Sequence, residues 1–444
     1  MALPKEQQLA LIKENLAEFL NPEIVEDVLN RGETLRIYWG TATTGRPHVG
    51  YTVPMIKLAQ FLKAGCNVKV RYTNLYYKST HSETNRQLIR SYWPTFMASS
   101  TTVSIRPVNR LIDDTHPRKV KAPIELVEYR AEYYKYTISA LLRALNVPVE
   151  RLQFVLGSSY QLGREYSMDV YRACSITSTH DAIKSGAEVV KQSDSPPISG
   201  LIYPLLQALD EQYLDVHAQF GGVDQRKIFT LAKELLPRLG YTPRAHLMNH
   251  LVPSLQSGKM SSSDPNSKID VLETPDIVAR KIKKAVAAPK VVEGNGLLGF
   301  VEHVLIPASE LLDGERNFKI EWDGQVHVYD NFESLRDDYA ADKITPQMLK
   351  PAVTSALCRI LKPIQAEFQA SPAWQEIEKK AYPVEAPKEQ KKQKQKKDKG
   401  SRYPGAAKAS EVQAEEGKDM AKEPPTTADV GKSAADAMDK LSMN

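Results

Sequence analysis

The stretch Leu35-Arg36-Ile37-Tyr38-Trp39-Gly40, followed by T-A-T-T-G-R-P-H-V-G-Y (41–51) and the apolar run 53–64, decides the fold. A short, largely apolar run ending at a glycine reads as a buried strand, and 53–64 reads as a helix. Strand, glycine-bearing turn and helix together open a nucleotide-binding α/β unit, whose turn and helix N-terminus hold phosphate. His48 stands in that turn, where its ring can donate to a phosphate oxygen that gains charge during reaction. Taken alone, such a histidine is more often a surface or capping residue.

The rest of the chain sets the limits. Its 444 residues leave room for two or three domains, and 42% apolar with 25% charged residues is ordinary for a soluble protein. Cys66, Cys174 and Cys358 stand far apart without metal-ligand spacing, as buried thiols in a reducing compartment do. The N-terminus M-A-L-P-K-E-Q-Q carries neither an apolar signal core nor an Arg-rich transit pattern, and no apolar run would span a bilayer. A cytoplasmic enzyme is expected.

Along the chain, 5–30 read as helices with Leu9, Leu11, Ile12, Leu16, Phe19 and Leu20 roughly on one face, and 66–70 as the next strand. Helical periodicity covers 124–145, and 154–157 reads as a strand. Helices and connections fill 160–199, a helix 203–213, a strand and turn 218–222, and a helix 224–239. After a polar loop, 275–287 is helical. The runs 318–322 and 326–329 form a strand pair turning at Asp323-Gly324, inside a second, smaller and mostly helical domain. The lysine-dense run 388–402 opens a tail poor in bulky residues. It is expected to be disordered, and it suits nucleic acid, solubilisation or nuclear import.

Three clusters carry chemistry. S-G-K-M-S-S-S-D-P (257–265) cannot build core, and suits a mobile loop bringing one ammonium and several hydroxyls to a polyphosphate. Tyr203, Gln207 and Asp210 in Y-P-L-L-Q-A-L-D share one helix face. Polar groups on an otherwise apolar stripe are costly unless they bind something or satisfy one another. Gly221-Gly222-Val223-Asp224-Gln225 adds a tight turn, a carboxylate able to hold a ribose hydroxyl, and an amide.

In this order and spacing, Pro47-His48-Val49-Gly50 and Lys259-Met260-Ser261-Ser262-Ser263 resemble the two signatures of class I aminoacyl-tRNA synthetases. With A-E-V-V-K-Q, Y-P-L-L-Q-A-L-D and A-Q-F-G-G-V-D-Q-R-K-I-F, the chain is similar to eukaryotic tyrosyl-tRNA synthetases over roughly 30–70 and 121–383. The resemblance implies a Rossmann-type parallel-sheet catalytic domain with a helical connective insertion, then an anticodon-binding domain. N-terminal helices would occupy 1–33, the catalytic domain 34–255, the connective and dimer segment 122–200, the KMSSS loop 256–275, the anticodon domain 276–383 and the tail 384–444. It implies that Tyr38 and Asp210 bind the substrate phenol, and that Tyr203, Gln207 and Gln225 hold the amino-acid end. ATP would lie against Gly40, His48, Gly50, Gly222, Asp224, Lys259 and Met260, with His48, Lys259, Ser261 and Ser263 acting in catalysis. Tyrosine would attack the α-phosphate of ATP, Mg²⁺ accompanying the pyrophosphate, and the adenylate would then acylate tRNA(Tyr). Trp322 could stack on an anticodon base, and the family's homodimeric state would carry over.

Departures from the family pattern are Tyr51 where a second histidine is usual, Ser262 for lysine, and His217 where an acidic residue is expected. The larger one is 71–120, which holds no period for long; a structureless loop of that length inside a compact domain is improbable. Back-translation of 91–102, read two bases along, permits L-L-A-D-I-H-G-F-L-D-N, similar to the family's segment before K-A-P, and Val103-Ser104 can encode a splice donor. We read much of 71–120 as translated intron, with a natural insertion as the alternative. The family's aspartate for the tyrosine ammonium would then be missing, which keeps open a non-catalytic tRNA-binding or signalling protein. Tryptophanyl-tRNA synthetase is the rival enzyme, but an indole offers only a donor to Tyr38 and Asp210. A small-molecule nucleotidyltransferase shares the first signature but not the second domain.

Overall fold

The computed structural model describes residues 3–43, 45–72, 126–189, 198–252, 254 and 268–383. Residues 73–120, most of the polar loop including Lys259, Met260, Ser261 and Ser263, and the tail 384–444 lie outside the described residues.

A six-stranded sheet forms the centre, from β1 (Leu16–Leu20), β2 (Arg36–Thr41), β3 (Asn67–Tyr72), β4 (Leu152–Leu156), β5 (Ala218–Gly222) and β6 (Ala245–Asn249), in the order β1-β6-β5-β2-β3-β4. Strands β2 to β6 are parallel, and β1 runs antiparallel on β6. The chain steps outward from β2 to β3 and β4, then returns to build β5 and β6 on the other side. That is the expected doubly wound topology, and its switch point, where ligands bind beyond the strand carboxyl ends, lies between β2 and β5.

Side-chain alternation divides the two faces. Ile37, Trp39, Phe220 and Leu247 belong to the main core, where Phe220 meets Phe61 of the Thr52–Lys63 helix edge to face at 5.3 Å between ring centroids. The intervening residues Lys69, Tyr38, Gln219 and His246 stand in register across four strands. They face the Ile198–Tyr213 helix: Tyr38 donates to its Gln207 carbonyl, and His246 bonds its Glu211.

Two local expectations are corrected. Residues 5–30 are not helical throughout, because Leu16–Leu20 is strand β1 between the helices Lys5–Lys13 and Pro22–Asn30. Asn15 and Asn21 sit in left-handed backbone (φ 55° and 51°), which breaks the helix on both sides, and a short-chain amide tolerates that conformation. The aperiodic stretch does not begin at Arg71: Arg71 and Tyr72 complete β3, paired with Gly40 and Thr41, and both are buried. Strand β6 follows from no local pattern, since A-H-L-M-N does not alternate apolar and polar residues and carries a histidine.

Beyond the sheet, β7 (Phe318–Trp322) and β8 (Gln325–Tyr329) form the expected hairpin, with Asp323 and Gly324 both at positive φ (50° and 74°) as a tight hairpin turn requires. This C-terminal region shares its core with the sheet domain. Trp374 is fully buried and stacks on Tyr136 of the Leu126–Ala144 helix at 5.6 Å.

Candidate active site

The carboxyl ends of β2 and β5 bring the first signature and the glycine turn to one crevice. After β2 the chain turns through Gly45 and Arg46 to His48, which caps the short 3₁₀ turn Val49–Tyr51 leading into the Thr52–Lys63 helix. The His48 Nδ1 accepts the Gly50 N–H at 3.2 Å, so the ring proton of the neutral imidazole belongs on Nε2, the nitrogen left to donate. Burial, reinforced by the Lys268 charge, pushes the His48 pKa down to about 4, so the ring is neutral at physiological pH. His48 also bridges Asp270 as an isolated antiparallel pair, and the Val49 N–H donates to the Ile269 carbonyl at 2.8 Å. The C-terminal stem of the KMSSS loop is thus fastened to the first signature, although the loop residues themselves lie outside the described ones.

The turn is braced from behind. Tyr134 and Tyr382 both donate to the Gly45 carbonyl, at 2.8 and 2.7 Å. Arg46 pairs with Glu378 at 2.6 Å and lies over the Tyr382 ring. Tyr51, the departure from the signature, packs edge to face on His48 and shares hydroxyl contacts with Thr41 and Tyr134. His217 lies at the other end of β5, where its Nδ1 accepts the Arg36 N–H, so that substitution falls away from the crevice.

On the β5 side, Gly221 and Gly222 allow a close backbone approach. A methyl group on Gly222 would come within 2.7 Å of Asp224 Oδ1, and one on Gly221 within 2.9 Å of Gln225 Cγ. A chain of amides follows: Gln207 Nε2 donates to Gln225 Oε1 at 3.1 Å, and Gln225 Nε2 to Asp224 Oδ1 at 3.3 Å. Gln207 Oε1 is buried and has no hydrogen-bond partner. Tyr203 stands one turn earlier on the same helix, its hydroxyl pushed up to about 12 chiefly by burial.

Beneath the helix lies a polar cluster that the sequence signalled only in part. Asp210 is fully buried. Its Oδ1 accepts from the Tyr160 hydroxyl (2.7 Å) and Gln161 Nε2 (2.7 Å), and competes at 3.1 Å with the Leu206 carbonyl (2.9 Å) for the single Tyr166 proton. Its Oδ2 lies 3.1 Å from Arg71 Nη1. Burial raises the carboxyl pKa, and the Arg71 charge and the three donors oppose that rise. Tyr38 is also fully buried, its hydroxyl held well above the usual range mainly by burial, but it donates to the Gln207 carbonyl at 3.1 Å rather than to Asp210. Tyr160, Gln161, Tyr166 and Arg71 were not among the sequence candidates. The cue available for the first three was a Y-Q-L-G-R-E-Y run whose polar groups interrupt a helical segment. Trp322, at the end of β7, is 43% exposed and so is not a core residue.

The family model for class I tRNA synthetases (W and Y) matches residues 29–74 and 114–362, leaving 75–113 unmatched inside the aperiodic stretch. The cytoplasmic tyrosine–tRNA ligase of Saccharomyces cerevisiae is 48% identical over 413 residues, covering 91% of this chain and 95% of that protein. The cytoplasmic tyrosine–tRNA ligase of Danio rerio is 45% identical over 86% of this chain, which spans only 64% of that longer protein. Among solved structures, tyrosyl-tRNA synthetase from Archaeoglobus fulgidus with L-tyrosine superimposes with a TM-score of 0.65 at 29% identity, over 82% of this chain and 99% of that one. A tryptophanyl-tRNA synthetase from Aeropyrum pernix, at 16% identity and a TM-score of 0.51, shares the fold alone. The chain belongs to the class I tRNA synthetases for tryptophan and tyrosine, and within them to the cytoplasmic-type tyrosine–tRNA ligases.

Proposed function

We propose that this chain activates L-tyrosine with ATP in the cytoplasm and transfers the tyrosyl group to tRNA(Tyr). The observation that carries the reading is the amide chain Gln207–Gln225–Asp224, which joins the glycine turn to a helix face holding Tyr203 and Asp210 and leaves Gln207 Oε1 as a buried, open acceptor. Such an acceptor suits the ammonium of an amino acid, with Asp224 at the ribose and Gly40, Gly50 and Gly222 against the nucleotide. Tyr38 and Asp210 read the phenol, and a site built for that hydroxyl rejects phenylalanine because buried polar groups would go unpaired.

The chemistry needs no covalent nucleophile. The tyrosine carboxylate attacks the α-phosphorus of ATP, the bond to the bridging oxygen of pyrophosphate breaks, and the leaving oxygen gains charge. His48 Nε2–H and the ammonium of Lys259 stabilise that charge, with Ser261 and Ser263 supplying donors. Mg²⁺ travels with the phosphates of ATP. The exposed apolar side chains Leu162, Met168, Tyr171 and Ile183, all in the connective segment, suit a homodimer interface. The exposed Trp322 suits stacking on an anticodon base.

The test is tyrosine-dependent exchange of pyrophosphate into ATP. It should be run on the chain as given and on one with L-L-A-D-I-H-G-F-L-D-N restored in place of the aperiodic stretch. Exchange is expected with tyrosine and not with tryptophan or phenylalanine. No exchange in either chain would refute the reading, and equal exchange in both would refute the intron reading.

A further inference from the structure

We infer that the buried His246–Glu211 pair is a positioning device for the tyrosine-binding helix: it fixes where Ile198–Tyr213 sits on the sheet, and so where Tyr203, Gln207 and Asp210 present their polar groups. The inference rests on the tyrosine reading and names what holds that site in place. His246 stands on β6 and Glu211 on the helix, the residue after Asp210. His246 Nε2 lies 2.8 Å from Glu211 Oε1, and both side chains are fully buried. Phe229 stacks on the imidazole at 4.8 Å, and a methyl group on Gly221 of the glycine turn would come within 3.0 Å of that same ring.

Stability does not account for the pair. His246 Nδ1 and Glu211 Oε2 are buried without a hydrogen-bond partner among the described residues, and so is Oε1 of Gln219, which lies beside His246 in register. Desolvation offsets most of the attraction in a buried pair of this kind, and apolar side chains of similar volume often hold two elements together as well. What apolar contact does not supply is direction. Leu205, Leu206 and Leu209 seat the helix in its apolar cluster by burial, which is non-directional. Three polar contacts reach the helix region from the strands: Lys69 of β3 to the Leu214 carbonyl, Tyr38 of β2 to the Gln207 carbonyl, and His246 of β6 to Glu211. Tyr38 also reads the phenol, and Lys69 reaches only the residue just past the helix end. The His246–Glu211 contact is the one of the three that adjoins Asp210 and has no substrate group to bind. Its length therefore sets the tyrosine site without touching tyrosine.

The experiment compares Glu211→Asp, which shortens the arm by one methylene, about 1.5 Å, with Glu211→Gln, which keeps its length and a carbonyl oxygen for His246. Circular dichroism establishes folding, and calorimetry on the full chain gives dissociation constants for L-tyrosine and for ATP. A misplacement of about 1 Å can cost about 10²-fold. Glu211→Asp is accordingly expected to weaken tyrosine binding by about tenfold or more with ATP affinity unchanged, and Glu211→Gln to retain tyrosine binding close to the parent's. Unchanged tyrosine binding in folded Glu211→Asp overturns the proposal. So does an equal loss for tyrosine and ATP, which marks a structural role, or an equal loss in both variants, which marks charge rather than length. If Glu211→Asp does not fold, Glu211→Met combined with His246→Leu decides, since it leaves neither a buried charge nor an anchor: selective loss of tyrosine binding supports the proposal and intact binding overturns it. If that variant also fails to fold, the His246 ring signal of the parent in nuclear magnetic resonance decides. A shift on adding L-tyrosine supports positioning, and none overturns it. Pyrophosphate exchange separates the two readings. Selective loss of tyrosine binding without exchange in any chain sinks the ligase reading alone, and tyrosine-dependent exchange alike in every chain sinks the positioning alone. A parent that binds no tyrosine sinks both.

Discussion

Replacing Asp210 by alanine should destabilise the protein by about 3–5 kcal/mol, and the structure shows where that comes from. Truncation removes the counter-charge of Arg71, which lies 3.1 Å from Oδ2 with both side chains buried. It also removes the acceptor of three donors, but these are unequally exposed to the loss. Tyr166 keeps the Leu206 carbonyl at 2.9 Å, and Gln161 Nε2 keeps the Tyr166 oxygen at 3.2 Å. Tyr160 is only partly buried, so its hydroxyl can turn to water. The hydrogen bonds therefore contribute about 1 kcal/mol, and the stranded guanidinium the rest. Asp210→Asn preserves one acceptor oxygen but sets an amide against Arg71, so it should cost about 2–4 kcal/mol. Adding Arg71→Met should cost clearly less than the sum of the two single changes, with a coupling of about 2–3 kcal/mol, because neither partner is then left as an unpaired buried charge. The assay is equilibrium urea unfolding followed by the fluorescence of the buried Trp39 and Trp374. A cost below about 1 kcal/mol for Asp210→Ala, or a double variant whose cost equals the sum of the singles, would refute the reasoning.

Three further outcomes are expected. The folded-state pKa of His48 lies near 4, below its unfolded value of about 6.5, so the unfolded chain binds the extra proton. The stability this gives is complete above pH 6.5 and is lost as pH falls toward 4, by up to about 3 kcal/mol. His48→Asn should reduce the slope of stability over that window, the remainder coming from groups such as His303, which burial also pushes down to about 4, while the exchange reaction of the parent should show no His48 titration between pH 6 and 8. Tyr38→Phe deletes the donor to the Gln207 carbonyl and should raise the KM for tyrosine about tenfold in pyrophosphate exchange while leaving that for ATP unchanged. Trp322→Ala should leave pyrophosphate exchange intact and raise the KM for tRNA about 5–150-fold in aminoacylation, since one base–aromatic stack is worth about 1–3 kcal/mol. Equal effects on both reactions would show a structural role instead.

Much of this protein was legible in local pattern. A buried run, a glycine turn and an apolar helix identify a nucleotide-binding unit because each has its own periodicity. The hairpin at Asp323-Gly324 follows from the backbone its turn demands, and Tyr203, Gln207 and Asp210 share a face because a helix repeats every 3.6 residues. Neighbours in space but not in sequence left no such trace. Strand β1 hid inside a helical pattern because its ends are set by two left-handed asparagines, and β6 reads as a strand only when laid between β1 and β5. The pairing of Arg71 with Asp210 joins residues 139 positions apart, and sequence alone read Arg71 as the start of a break. Which hydroxyl, amide and guanidinium surround a buried carboxylate is decided when the sheet and the Ile198–Tyr213 helix close on one another. Electrostatic partners are chosen by distance in the folded chain, and no local period encodes that distance.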